Sequence, residues 1–162
     1  MHTGGDGADR VRLYLARAKN ELDLADAVFR ISGSNRLKEE LKLDGNATFF
    51  SNAIGIAYYC IFYSAKAFLL SEGVLTGPPE EHRQTLREFG KLVESGKIDT
   101  ELLEIYKSIA VRVDELLGIF ALEKSKRKRF TYERLAQANI APARESVQNA
   151  EKFLKNIVLL IK

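Results

Sequence analysis

Thr48-Phe49-Phe50-Ser51-Asn52-Ala53-Ile54-Gly55-Ile56-Ala57-Tyr58-Tyr59-Cys60-Ile61-Phe62-Tyr63-Ser64-Ala65-Lys66-Ala67-Phe68-Leu69-Leu70 is the stretch on which the fold turns. It carries no charge before Lys66, and its apolar residues fall on nearly every side of a helical wheel. A helix apolar all round is either the central member of a packed bundle or a membrane span. Its length suffices for a span, which takes about 20 apolar residues. Ser51, Asn52, Gly55, three tyrosines and Lys66 interrupt it, and amphipathic segments on both sides need a surface to pack on. The reading that follows is a buried central helix and no membrane.

Outward from it, the other segments show helical periodicity. Between residues 9 and 31, Val11, Tyr14, Leu15, Ala18, Leu22, Ala25 and Phe29 make one apolar stripe, with Asp9 as the expected N-cap. Residues 1–8, rich in glycine, read as a disordered tail without the pattern of a signal peptide. Residues 36–42 suggest a short helical turn. Gly73 falls where a left-handed residue closes the central helix. Gly77-Pro78-Pro79-Glu80-Glu81 opens the next helix, with proline expected in its first turn and His82, Leu86, Phe89 and Val93 on one face. Asp99 or Thr100 caps a fourth long helix expected to reach about residue 124, and a last one opens near Pro142. Residues 9–162 are thus expected to form a single all-α domain, an antiparallel up-and-down bundle of about five helices.

The composition agrees. A chain of 162 residues with 46% hydrophobic and 29% charged residues can build its own core without disulfides or metals. The one cysteine, Cys60, lies in the apolar run and reads as a buried thiol in a reducing, cytoplasmic setting. A net charge of +3 is too small to imply a nucleic-acid partner, so its distribution matters more.

That distribution peaks between residues 124 and 134, where six cationic residues stand against one acidic residue, with Phe130 and Tyr132 interleaved. Such a run holds phosphates by charge and stacks a base on a ring, or it is a solvated loop. Lys126, Arg127, Arg129 and Tyr132 are its candidate nucleotide or RNA contacts. Tyr58, Tyr59 and Tyr63 cannot all face one way along a helix. At least one belongs to the core, and one facing a cleft would contact a base or a dimer mate, without periodicity settling which; Tyr59 is carried among the candidate nucleotide or RNA contacts. His82 is either a partly buried packing residue at a helix start or a group that the fold brings beside Arg127. No zinc spacing, Gly-rich phosphate loop or Ser/His/Asp set is present, and no metal or cofactor is expected.

Taken in order, these segments resemble HEPN domains. The carriers are Tyr14-Leu15-Ala16-Arg17-Ala18, the Tyr58-Tyr59 helix running to Glu72-Gly73, His82 ahead of Phe89, Arg127 followed by Tyr132, and Ala150-Glu151-Lys152-Phe153-Leu154. The chain is similar in particular to small stand-alone HEPN proteins encoded beside a minimal nucleotidyltransferase. The resemblance implies a homodimeric helical bundle, a nucleotidyltransferase partner and a toxin–antitoxin type of pairing. Many such proteins are metal-independent ribonucleases whose arginine is followed a few residues later by histidine, a pair suited to 2′-hydroxyl attack on the adjacent phosphate. Here Tyr132 stands where that histidine belongs. A phenol with a pKa of about 10 is a poor base at neutral pH. The expected function is therefore nucleotide or RNA binding, with little or no catalysis. An active endoribonuclease using Arg127 with His82 or Tyr132, and a helical protein-interaction module, are the alternatives.

Overall fold

The computed structural model describes residues 3–117 and 140–161. Six helices account for nearly all of them: α1 (Thr3–Ser32), α2 (Asn35–Glu40), α3 (Phe50–Ser71), α4 (Glu81–Glu94), α5 (Thr100–Leu117) and α6 (Ile140–Leu160). The protein is an all-α helical bundle. The five long helices and the short one at residues 35–40 correspond to the segments read from periodicity.

α3 is the hub. It packs on α1, α4, α5 and α6, and the side chains of Ala53, Ala57, Tyr58, Cys60, Ile61, Ser64 and Ala65 are all fully buried. This is why its hydrophobic residues need not form a stripe: helices cover most of its sides. By length and composition the helix would cross a membrane, but most of it is buried within the bundle.

α1 runs antiparallel to α3. Tyr14 stacks on Tyr63 at 6.3 Å between ring centroids, and Phe29 meets Phe50 edge-on at 5.6 Å, so residue numbers climb along one helix as they fall along the other. Between those contacts α1 buries Ala18 and Ala25 completely. Side chains this small let two helix backbones approach closely. The turn between them is pinned by Ser32, whose hydroxyl donates to the Val28 carbonyl at 2.8 Å and accepts the Phe49 amide at 2.7 Å. Ser34 caps α2 by accepting the Leu37 amide at 3.2 Å.

α3 and α4 both end in a left-handed glycine. Gly73 (φ +79°) and Gly96 (φ +82°) carry the reversal, and the amides of Val74 and Lys97 reach back to the carbonyls of Leu69 and Leu92 at 2.8 and 3.1 Å. A ring cluster of Phe89, Tyr106 and Phe153 ties α4, α5 and α6 together, with centroids 5.3 to 5.9 Å apart. The Arg112 guanidinium donates to Ser146 Oγ at 3.2 Å and to Glu145 Oε2 at 3.0 Å, joining α5 to α6.

Two boundaries differ from the sequence expectation. α1 begins at Thr3 rather than at the Asp9 cap, so residues 3–8, read as tail, are helical. Adding turns to an existing helix costs little, and Asp6 suits the positive end; Asp9 instead pairs with Arg12 at 3.4 Å. Pro78 and Pro79 lie ahead of α4, not within its first turn, which opens on Glu81. The final helix is described from Ile140, with Pro142 in its first turn, in keeping with an opening near Pro142. At α5 the Asp99 carboxylate accepts the Glu101 amide at 3.0 Å, so Asp99 is the cap; the expected continuation of that helix to residue 124 lies outside the described residues.

Candidate functional site

Three helices bring chemically capable side chains to one face. On α3, Tyr58 and Phe62 stand one turn apart, as do Tyr59 and Tyr63, and Lys66 follows Phe62 by a further turn. On α1, Tyr14, Arg17 and Glu21 share a side. α4 contributes Glu81 and His82 from its first turn.

His82 sits at the junction. Its ring stacks on Phe62 at 4.3 Å between centroids and meets Tyr59 edge-on at 5.9 Å. Its Nδ1 lies 2.8 Å from the Tyr58 hydroxyl. Tyr58 is fully buried, whereas His82, Tyr59 and Tyr63 are partly exposed. Burial pushes the His82 pKa below its ordinary value; Glu81 acts against that shift and Lys66 adds to it. The imidazole is therefore uncharged at neutral pH.

Lys66 is the buried cation that the apolar helix carries. Its side chain is 7% exposed, and the ammonium pairs with the Glu81 carboxylate and donates to the Thr76 carbonyl at 3.2 Å. It lies 5.1 Å from the centre of the Tyr14 ring and 5.7 Å from that of Phe62. The charge is thus met by a carboxylate, a carbonyl and two ring faces. Arg17 lies over the Tyr63 ring at 5.5 Å. Desolvation raises the Glu21 pKa, opposed by Arg17. Burial raises that of Tyr59, with Tyr63 and Glu21 adding to it. Behind the face, the fully buried Tyr106 lies beside Tyr58, with their ring centroids 6.4 Å apart.

Of the expected site residues, the fold brings His82 and Tyr59 together. Lys126, Arg127, Arg129 and Tyr132 lie outside the described residues. The three tyrosines divide as helical geometry requires, with Tyr58 inward and Tyr59 and Tyr63 toward the surface. Lys66, Glu81, Tyr14, Arg17 and Glu21 are additions. Lys66 was signalled by being the sole charge in the apolar run, and Arg17 by standing one turn after an aromatic residue.

The arrangement offers partly exposed ring surface, a guanidinium, and an imidazole whose charged form burial disfavours. Among the described residues no three His, Cys, Asp or Glu side chains cluster as a metal site needs. A separate groove of about 510 Å³ between α1 and α6, lined largely by Leu22, Leu154, Val158 and Leu159, carries no imidazole, thiol or phenol. No protein-family model matches the chain, and no curated protein matches it.

Proposed function

We propose that the protein is a HEPN-like nucleotide- or RNA-binding protein, with unpaired bases held on the Tyr59–Tyr63 face and phosphates held by cations around it. What supports the reading is the partial exposure of Tyr59 and Tyr63 beside His82, with Arg17 over the Tyr63 ring. Ring faces next to a guanidinium suit single strands, whose bases are free to stack. The basic run containing Lys126, Arg127 and Arg129 supplies further phosphate-binding charge in the same chain. From the family resemblance come a homodimer and a nucleotidyltransferase partner in a toxin–antitoxin-type pair.

The test is anisotropy titration with a labelled single-stranded RNA across salt concentrations. Affinity falls steeply with salt, and Tyr59→Ala weakens binding by about tenfold, in line with about 1–3 kcal/mol for one stacked base. Absence of binding at low salt, or a Tyr59→Ala protein that binds like wild type, refutes the proposal. The second reading, a metal-independent endoribonuclease, draws on the uncharged state of His82 at neutral pH, the form a general base requires. It predicts RNA cleavage in chelator that is abolished by Arg127→Ala and by His82→Gln; uncleaved RNA at high protein concentration removes it.

A further inference from the structure

We propose that the outer face of α1 is a self-complementary seam on which two copies of this chain pair antiparallel, with Asn20 on the two-fold axis. This deepens the homodimer of the proposed function by naming its surface. It stands on exposure and charge, and RNA binding plays no part in it.

The first observation is a second stripe on α1. Val11, Ala18 and Ala25 face the bundle and are buried. On the opposite side Leu13, Ala16, Asn20, Leu24 and Ala27 are all exposed, the two leucines by 54% and 50%. Their spacing of three or four residues sets them in one row along the helix. A helix packed on its own bundle needs one apolar stripe, and α1 carries two.

The second observation is the order of those side chains. Steps of three, four, four and three residues lead from Leu13 to Ala27, so the row reads the same from either end about Asn20. Laid antiparallel on a second copy, it sets Leu13 against the partner's Ala27, Ala16 against the partner's Leu24, and Asn20 against the partner's Asn20. Each leucine then meets the small side chain that leaves room for it. A carboxamide both donates and accepts, so two of them on the axis satisfy one another, and a single polar residue in such a row fixes the register.

The third observation is charge. Residues 3–19 carry four basic and two acidic side chains, whereas residues 21–32 carry one basic and three acidic. Antiparallel pairing lays the positive half of each helix along the negative half of the other; parallel pairing sets like against like. Arg12–Asp9, Lys19–Asp23 and Arg30–Asp26 are exposed pairs within α1, so the charges guide the approach without being desolvated. The two-fold axis stands perpendicular to the paired helices. Both copies therefore turn Arg17, and the Tyr63 ring beneath it, to the same side of the dimer.

Light scattering and cysteine crosslinking test this on the full chain. Wild type scatters as a dimer, at twice 18.2 kDa. Leu24→Glu weakens dimerisation at least about a hundredfold, because symmetry puts the carboxylate in the seam twice, and leaves the helical circular dichroism unchanged. Leu159→Glu, on the groove between α1 and α6, is the control and stays dimeric. Under a mild oxidant Asn20→Cys forms an interchain disulfide, whereas Leu13→Cys does not, its two copies lying about 21 Å apart along the seam. Cys60 is fully buried and stays out of the reaction. A wild-type monomer overturns the seam and the homodimer together. A dimer that survives Leu24→Glu, one broken by Leu159→Glu instead, an Asn20→Cys that fails to crosslink, or a Leu13→Cys that crosslinks as readily overturns the seam and leaves the homodimer standing. The RNA titration fails or succeeds independently of all of these.

Discussion

The Lys66–Glu81 pair fastens the first turn of α4, and with it His82, to α3, so breaking it from either side is informative. Lys66 is 7% exposed and Glu81 30%, and that asymmetry sets the expected order of effects. Removing one partner of a fully buried pair costs about 3–5 kcal/mol. In Glu81→Gln the ammonium keeps the Thr76 carbonyl at 3.2 Å and the Tyr14 and Phe62 rings, which reduces the loss to about 1–2 kcal/mol. Lys66→Met keeps the packed stem and deletes the charge, leaving a carboxylate with access to water. Its cost is within about 1 kcal/mol of zero. Lys66→Ala adds a cavity and costs about 2–4 kcal/mol. At about 2–4 °C per kcal/mol for a chain of this size, Tm falls by about 2–8 °C in Glu81→Gln and by more in Lys66→Ala. Combining Lys66→Met with Glu81→Gln recovers most of the Glu81→Gln loss, a coupling of about 1 kcal/mol. Thermal melts followed by circular dichroism measure all four proteins. A silent Glu81→Gln, with no coupling in the double variant and a loss only in Lys66→Ala, would show that Lys66 acts through its stem alone, and the ion-pair argument would fail.

Two further outcomes follow from the same chemistry. Because the folded-state pKa of His82 lies below its ordinary value, its contribution to stability is complete above about pH 6.5 and is lost as pH falls through the folded pKa; His82→Gln therefore loses less stability than wild type between about pH 7.5 and about pH 5 in denaturant melts, and matching slopes would count against the buried neutral ring. Cys60 is fully buried with its thiol pushed up to about 12, so a thiol reagent labels the native protein only on the timescale of unfolding and labels the denatured protein at once; rapid labelling in native buffer would contradict the packing of α3.

The central helix was legible because a run almost without charge has to be covered, and the glycine at 73 announced its end. The start of α1 was not, because Asp9 has the chemistry of a cap but is not used as one. Nor was the start of α4, where two prolines that fit a first turn instead occupy the approach to it. At the site, spacing alone showed that Tyr58, Tyr59 and Tyr63 must diverge. Tyr58 is the one that turns inward, and its hydroxyl meets His82, 24 positions away; local periodicity carries no record of that pairing. Lys66 was visible as an interruption, but its partner Glu81 comes from another helix and looked like an ordinary acidic residue at a helix start.

The alanines buried along α1 bear on how such a face is inherited or redesigned. Ala18 and Ala25 act as the ruler that sets how far Tyr14 and Arg17 stand from Tyr63. A leucine at either position would wedge the two rods apart and spread the rings without touching one of them. The grip of the outer face is tuned from underneath, by the smallest side chains in the seam.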